Sequence, residues 1–179
     1  MLAIASLVSL NTGPRSKALW DSIEDRCSAF GYTRTRIPHF SWQVAKDYDL
    51  QSMLPTMEDL VSTWKEFSIN TAGLGLFTGE YPVLYLPIIK TQNLLEKHKE
   101  LWNLCSSFGT EISSMYEPEN WLPHITLVHQ GFSLDSVTCI IKDLYLQKIS
   151  FEFLVKKIEI IFQENGNEGI KAEILLQKG

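Results

Sequence analysis

Ile37-Pro38-His39-Phe40-Ser41 and Leu122-Pro123-His124-Ile125-Thr126 follow one pattern: aliphatic, proline, histidine, apolar, hydroxyl. They lie 124 − 39 = 85 residues apart in a chain of 179, close to half its length. By composition alone the coincidence has a probability on the order of one in ten thousand, so the stretches are read as two copies of one element. Side chains on a regular strand alternate faces. His39 and Ser41 therefore point the same way, ~6.6 Å apart along the chain, as do His124 and Thr126. Phe40 and Ile125 point away, toward covering helices. Gln43 shares the parity of His39 and Ser41 and is a candidate substrate contact.

Outward from the motifs, the elements repeat in order. Leu2 to Leu10 reads as a buried strand broken by Asn11-Thr12-Gly13-Pro14. Leu19, Ile23, Cys27 and Phe30 have the spacing of one helical face, with Gly31 where a helix stops. After the first motif strand, Ile37 to Ala45, Thr56 and Asp59 resemble a capping box, with Met57, Leu60, Val61, Trp64 and Phe67 continuing a helix. Leu74 to Phe77 and Val83 to Ile89 read as strands. In the second half Thr91 is placed to cap a helix running to Phe108 and closed by Gly109. The strand Trp121 to His129 follows, then a helix opened by Ser133. The strands Phe151 to Phe162 and Ile170 to Leu176 flank the turn-forming run Asn165 to Gly169.

Each half thus runs helix, strand, helix, strand, strand, with an extra strand leading the first. The duplication predicts an α+β, bilobal, pseudo-twofold fold in which two antiparallel-rich sheets face a central cleft with helices outside. One domain spans 1–179, with lobes near 1–90 and 91–179 and strand exchange between them left open.

Two imidazoles on opposite sides of one bound group suit in-line displacement at phosphorus. One, neutral, takes a proton from the attacking oxygen, and the other, protonated, gives one to the departing oxygen. The Ser41 and Thr126 hydroxyls would donate to the non-bridging oxygens. With an ordinary pKa of ~6.5, histidine serves either role near neutrality, so no metal or cofactor is expected.

At these residues the sequence resembles the two-histidine phosphoesterase superfamily, the 2′-5′ RNA ligase-like and cyclic phosphodiesterase proteins, whose signature is a pair of H-x-[ST] motifs. Glu119 to Leu127 looks especially like the second motif of bacterial members. The resemblance implies metal-independent hydrolysis, or reversible formation, of phosphodiesters involving a ribose 2′ oxygen: 2′,3′-cyclic phosphates, 2′-5′ linkages or related cyclic nucleotides. By position it makes His39 and His124 the acid-base pair and Ser41 and Thr126 the phosphate holders. The sequence departs from the family after each motif. Trp42 to Lys46 is no continuous apolar strand, and Val128-His129-Gln130 stands where many members put a basic residue after a glycine. The alternative from another class is a non-catalytic module that binds a nucleotide or RNA end in the same cleft.

The remaining features bound these readings. A net charge of −5 argues against broad adhesion to nucleic acid and leaves a small phosphorylated ligand open; the resemblance implies a small nucleotide or RNA terminus as substrate. No obligatory protein partner is inferred. Without a long apolar run or a basic-flanked leader, a cytoplasmic location is the default. Cys27, Cys105 and Cys139, with no CxxC spacing, are expected to be buried reduced thiols. His98, amid Glu96, Lys97, Lys99 and Glu100, is expected on the solvated surface, and His129 out of the cleft by parity. Gly73, Gly75 and Gly79 are expected in turns rather than a phosphate loop. Tyr48, Tyr116 and Trp121 are expected to pack rather than stack on a base. Lys156-Lys157 interrupts an alternating run and marks a bulge or solvated edge.

Overall fold

A computed structural model describes residues 1–8, 19, 23, 27, 33–34, 36–129, 133–164 and 167–179. The expected break at 11–14, the Phe30 and Gly31 positions, and the turn residues Asn165 and Gly166 lie outside these. The strands are β1 (Leu2–Leu7), β2 (Thr33–Arg34), β3 (His39–Ala45), β4 (Asp47–Tyr48), β5 (Phe67–Asn70) and β6 (Gly75–Phe77). They continue with β7 (Val83–Pro87), β8 (Gly109–Thr110), β9 (His124–His129), β10 (Glu152–Val155), β11 (Lys157–Glu164) and β12 (Asn167–Leu175). One four-stranded sheet has the order β12-β11-β1-β3, and the other β2-β9-β7-β6. Every pairing in both is antiparallel. The chain is therefore α+β, and the first sheet joins the N-terminal strands to the C-terminal hairpin. Each sheet carries one motif strand, β3 or β9.

Three helices follow from local capping chemistry. In α1 (Leu50–Val61) the Asp49 carboxylate accepts from the Ser52 N–H at 3.3 Å, so the helix starts six residues before the expected Thr56. Met53, Met57 and Val61, four apart, are its buried stripe, and it stops at Val61. Trp64 and Phe67 lie beyond it, and Phe67 opens β5 instead of ending the helix. Thr91 caps α2 (Gln92–Cys105) as expected, its hydroxyl accepting from the Leu94 N–H at 3.2 Å. Ser133 likewise caps α3 (Leu134–Leu144) through the Ser136 N–H. Gly109 does not end α2 in a left-handed turn: its φ is −93° in extended backbone. Space explains it, because a Cβ there would come within 2.8 Å of the Ile112 side chain.

The alternating run at Phe151–Phe162 is two strands. Lys156 lies between β10, which pairs with β5, and β11, which lies between β1 and β12. The break changes phase, so Phe153 and Val155 are buried before it and Ile158 and Ile160 after it.

Two cysteines correct the expectation of reduced thiols. Cys27 and Cys139 form a disulfide with Cα atoms 6.0 Å apart, while Cys105 is free and buried. Sequence spacing gave no signal because the bridge joins residues 112 apart, brought together only when α3 packs beside the helical residue Cys27. Closing a loop of about 100 residues removes chain entropy from the unfolded state worth up to about 4.7 kcal/mol. Alkylation of the denatured, unreduced protein is therefore expected to label Cys105 alone, and reduction to lower Tm. Labelling of all three cysteines would show that the bridge is absent. Such bridges persist in oxidising compartments, so the cysteines do not support the expected cytoplasmic location. Among the described residues no helix is long and apolar enough to cross a membrane.

Candidate active site

The two motifs share a local device beyond their spacing. The His39 Nδ1–H donates to the Ile37 carbonyl at 2.6 Å, and the His124 Nδ1–H donates to the Leu122 carbonyl at 2.7 Å. In both, the acceptor belongs to the residue before the proline, whose backbone proline restricts to extended geometry. A carbonyl can only accept, so each ring carries its proton on Nδ1 and keeps its Nε2 lone pair free in the neutral form.

Each motif strand then bulges at the residue after the hydroxyl. On β3, Ser41 pairs with Ala5 and Gln43 with Ile4, leaving Trp42 as the extra residue. On β9, Thr126 pairs with Tyr85 and Val128 with Leu84, leaving Leu127 extra. A bulge resets the face on which later side chains emerge. Trp42 and Gln43 both turn inward, as do Leu127 and Val128, and the residue five after each histidine returns to the cleft. These residues are Val44 and His129.

The parity expectations for Gln43 and His129 fail for this reason. Gln43 does not reach the cleft. It is 1% exposed, donates to the Ser106 hydroxyl at 3.0 Å and accepts from the Tyr48 hydroxyl at 3.1 Å. His129, expected to leave, lines the cleft. The missed signal is the apolar pair Leu127-Val128, which breaks the period-two pattern just as Trp42-Gln43 does.

His39, Ser41 and Thr126 line one cavity of about 430 Å³, with walls from both four-stranded sheets. His124 lines an adjoining pocket that shares Met115 and Tyr116 with the first. Its ring is flanked by Phe77 and Tyr85, with ring centroids 5.0 and 5.1 Å away. Tyr85 occupies that place because Gly75 leaves room, where a Cβ would sit 2.3 Å from its ring.

Burial is the main influence on the cleft imidazoles and lowers all three pKa values, those of His39, His124 and His129. The Ile37 carbonyl and the Glu168 carboxylate partly oppose this at His39. At His124 the Leu122 carbonyl opposes it, while the charge of His39 adds to the lowering. The two motif histidines are therefore within electrostatic reach of each other. Tyr116 is pushed up by burial, with the Ser41 hydroxyl pulling the other way.

Beneath the site, His98 corrects another expectation. It is 1% exposed and stacks on Trp121 with centroids 3.7 Å apart and planes 3° apart. Its Nε2–H donates to the Trp42 carbonyl at 2.9 Å, and its Nδ1 lies near the Tyr116 carbonyl without hydrogen-bonding. Burial drives its pKa down to about 4, so it is neutral and structural. Trp121 is buried as expected, and its Nε1–H donates to the Ser41 carbonyl at 3.0 Å, tying the second motif's approach to the first motif's strand.

The comparisons with known proteins agree with this architecture. No curated protein matches the chain by sequence. Among solved structures, E. coli LigT complexed with 3′-AMP is similar across 98% of this chain and 97% of that one, with a TM-score of 0.60 and 11% identity. At that identity the likeness shows the fold. The family model described as the 2′-5′ RNA ligase superfamily matches residues 13–167, so the chain belongs to that superfamily, whose members are two-histidine phosphoesterases.

Proposed function

We propose that the chain is a metal-independent phosphodiesterase acting on 2′,3′-cyclic phosphates, 2′-5′ linkages or related cyclic nucleotides. The observation that carries this reading is the matched pair of imidazoles, each held at Nδ1 by a carbonyl two residues back, which leaves Nε2 the unprotonated nitrogen of the neutral ring. In hydrolysis of a cyclic ester, one Nε2 takes a proton from water as its oxygen bonds phosphorus. The other Nε2, protonated, delivers a proton to the ribose oxygen as the opposite P–O bond breaks. Ser41 and Thr126 donate to the non-bridging oxygens as charge grows on them. The complex of E. coli LigT with 3′-AMP supports a nucleotide or RNA end as ligand.

The test is a panel of cyclic and 2′-5′-linked nucleotides assayed with EDTA present, with products identified by mass and chromatography. Turnover of at least one supports the reading, whereas tight binding without product makes the cleft a binding module.

A pH prediction follows from the burial of both histidines. One must be neutral and the other charged in the free enzyme, and both pKa values lie below the ordinary ~6.5. The bell in kcat/KM is therefore expected to peak on the acid side of pH 6.5. A maximum at alkaline pH would show that these two groups do not set the profile.

A further inference from the structure

The cleft described above has an unusual charge inventory for a phosphate site. Among the described residues that line the main cavity, the titratable side chains are His39, Tyr116, His129 and Glu168, with no lysine or arginine. Met1 also lines this cavity, and its amino group is exposed to solvent and donates to the Gln163 carbonyl at 3.5 Å. Glu168 sits on β12 opposite Gln163, and its carboxylate acts electrostatically on both His39 and His129. Its Oε1 is buried with no hydrogen-bond partner among the described residues. A carboxylate with one buried, unpartnered oxygen therefore stands in the wall of the cavity proposed to hold an anion.

Resting on the phosphodiesterase reading, we propose that Glu168 makes the cleft selective for phosphate esters carrying one negative charge, so that it admits diesters and expels the monoester that hydrolysis leaves. A phosphodiester bears a single charge at neutral pH. A monoester, with a second pKa near 6, approaches two. Above the lowered pKa values of the imidazoles, as at pH 8, the rings are neutral and Glu168 is the one carboxylate among the described residues that line the main cavity. The bound monoanion meets one repulsion from Glu168 and the dianion twice that, in a partly desolvated cleft where screening is weak. Turnover itself converts the first species into the second, so the same carboxylate that tolerates substrate hastens product release.

The test compares two ligands that differ by one charge and lack the 2′-hydroxyl, so neither can be turned over through it. These are 2′-deoxyadenosine 3′-monophosphate and its methyl ester, titrated calorimetrically into the full chain at pH 8. The native protein is expected to bind the methyl ester at least about tenfold more tightly than the monoester. Glu168→Gln is expected to remove most of that ratio by tightening the monoester, and Glu168→Asp to keep it. At pH 5.5, where the monoester has mostly lost its second charge, the native ratio is expected to shrink toward one.

A native preference for the monoester, a ratio unchanged by Glu168→Gln, or no binding of either ligand would overturn the proposal. Because the readout needs no turnover, charge selection without hydrolysis of any cyclic nucleotide would sink the phosphodiesterase reading and leave the charge selection standing.

Discussion

Replacing His124 by asparagine is expected to lower kcat on a 2′,3′-cyclic nucleotide by about 10²–10⁴-fold, and His39→Asn by a similar factor, with the fold intact. Asparagine is the informative choice because its side-chain N–H can still reach the Leu122 or Ile37 carbonyl that now accepts from Nδ1. What it removes is the Nε2 that takes or gives the proton. KM should change less than kcat, since neither ring is the phosphate holder in this scheme.

The double variant should be little slower than the worse single one. Once one proton transfer is lost, the other has no concerted step to assist. Full turnover in both single variants would refute the acid-base assignment. If only one variant is slow, the chemistry uses a single histidine and a water on the other side. Neither ring lies in the closely packed interior, so melting temperatures should stay near the native value.

Much of this is legible in the sequence. The Pro-His-x-hydroxyl repeat located both motif strands, and strand parity placed His39 with Ser41 on one cavity wall, whereas His124 lines the pocket beside the cavity that Thr126 lines. Thr91 and Ser133 announced their helices because a capping hydroxyl acts within three residues. The failures have a common form, in which a local rule meets a non-local constraint. The charged neighbours of His98 point it to solvent, yet Leu94, His98, Leu101 and Cys105 form a single face at spacings of four, three and four, and that face is the buried one. The expected faces of Gln43 and His129 assume unbroken alternation, which one bulged residue on each strand reverses. The Cys27–Cys139 bridge depends on which helices become neighbours, and no spacing within either segment encodes that.

The bulge on β3 carries the second large expectation: Trp42→Ala should cost about 3–5 kcal/mol of stability. At 2–4 °C per kcal/mol for a chain of this size, that is a fall in Tm on the order of 10 °C. Trp42 is fully buried, with Phe40 at 4.9 Å and Trp121 stacked at 5.7 Å, and its indole N–H donates to the Ser6 hydroxyl at 3.0 Å. Truncation leaves a cavity among rings too stiff to close it and strands the Ser6 hydroxyl without its donor.

Trp42→Phe separates these contributions. It keeps most of the ring volume and loses the one hydrogen bond, so it should cost only about 1–2 kcal/mol. The position also bears on chemistry, because the extra residue on β3 is what leaves Ser41 facing the cleft while the next two side chains turn inward. Assayed well below its melting point, Trp42→Ala should show a raised KM for phosphodiesters through misplacement of Ser41. Leu127→Ala, the counterpart on β9, should act in the same direction through Thr126. If Trp42→Ala melts within 1 kcal/mol of the native protein, the stack does not hold the bulge, and some other contact must fix the face on which Ser41 emerges.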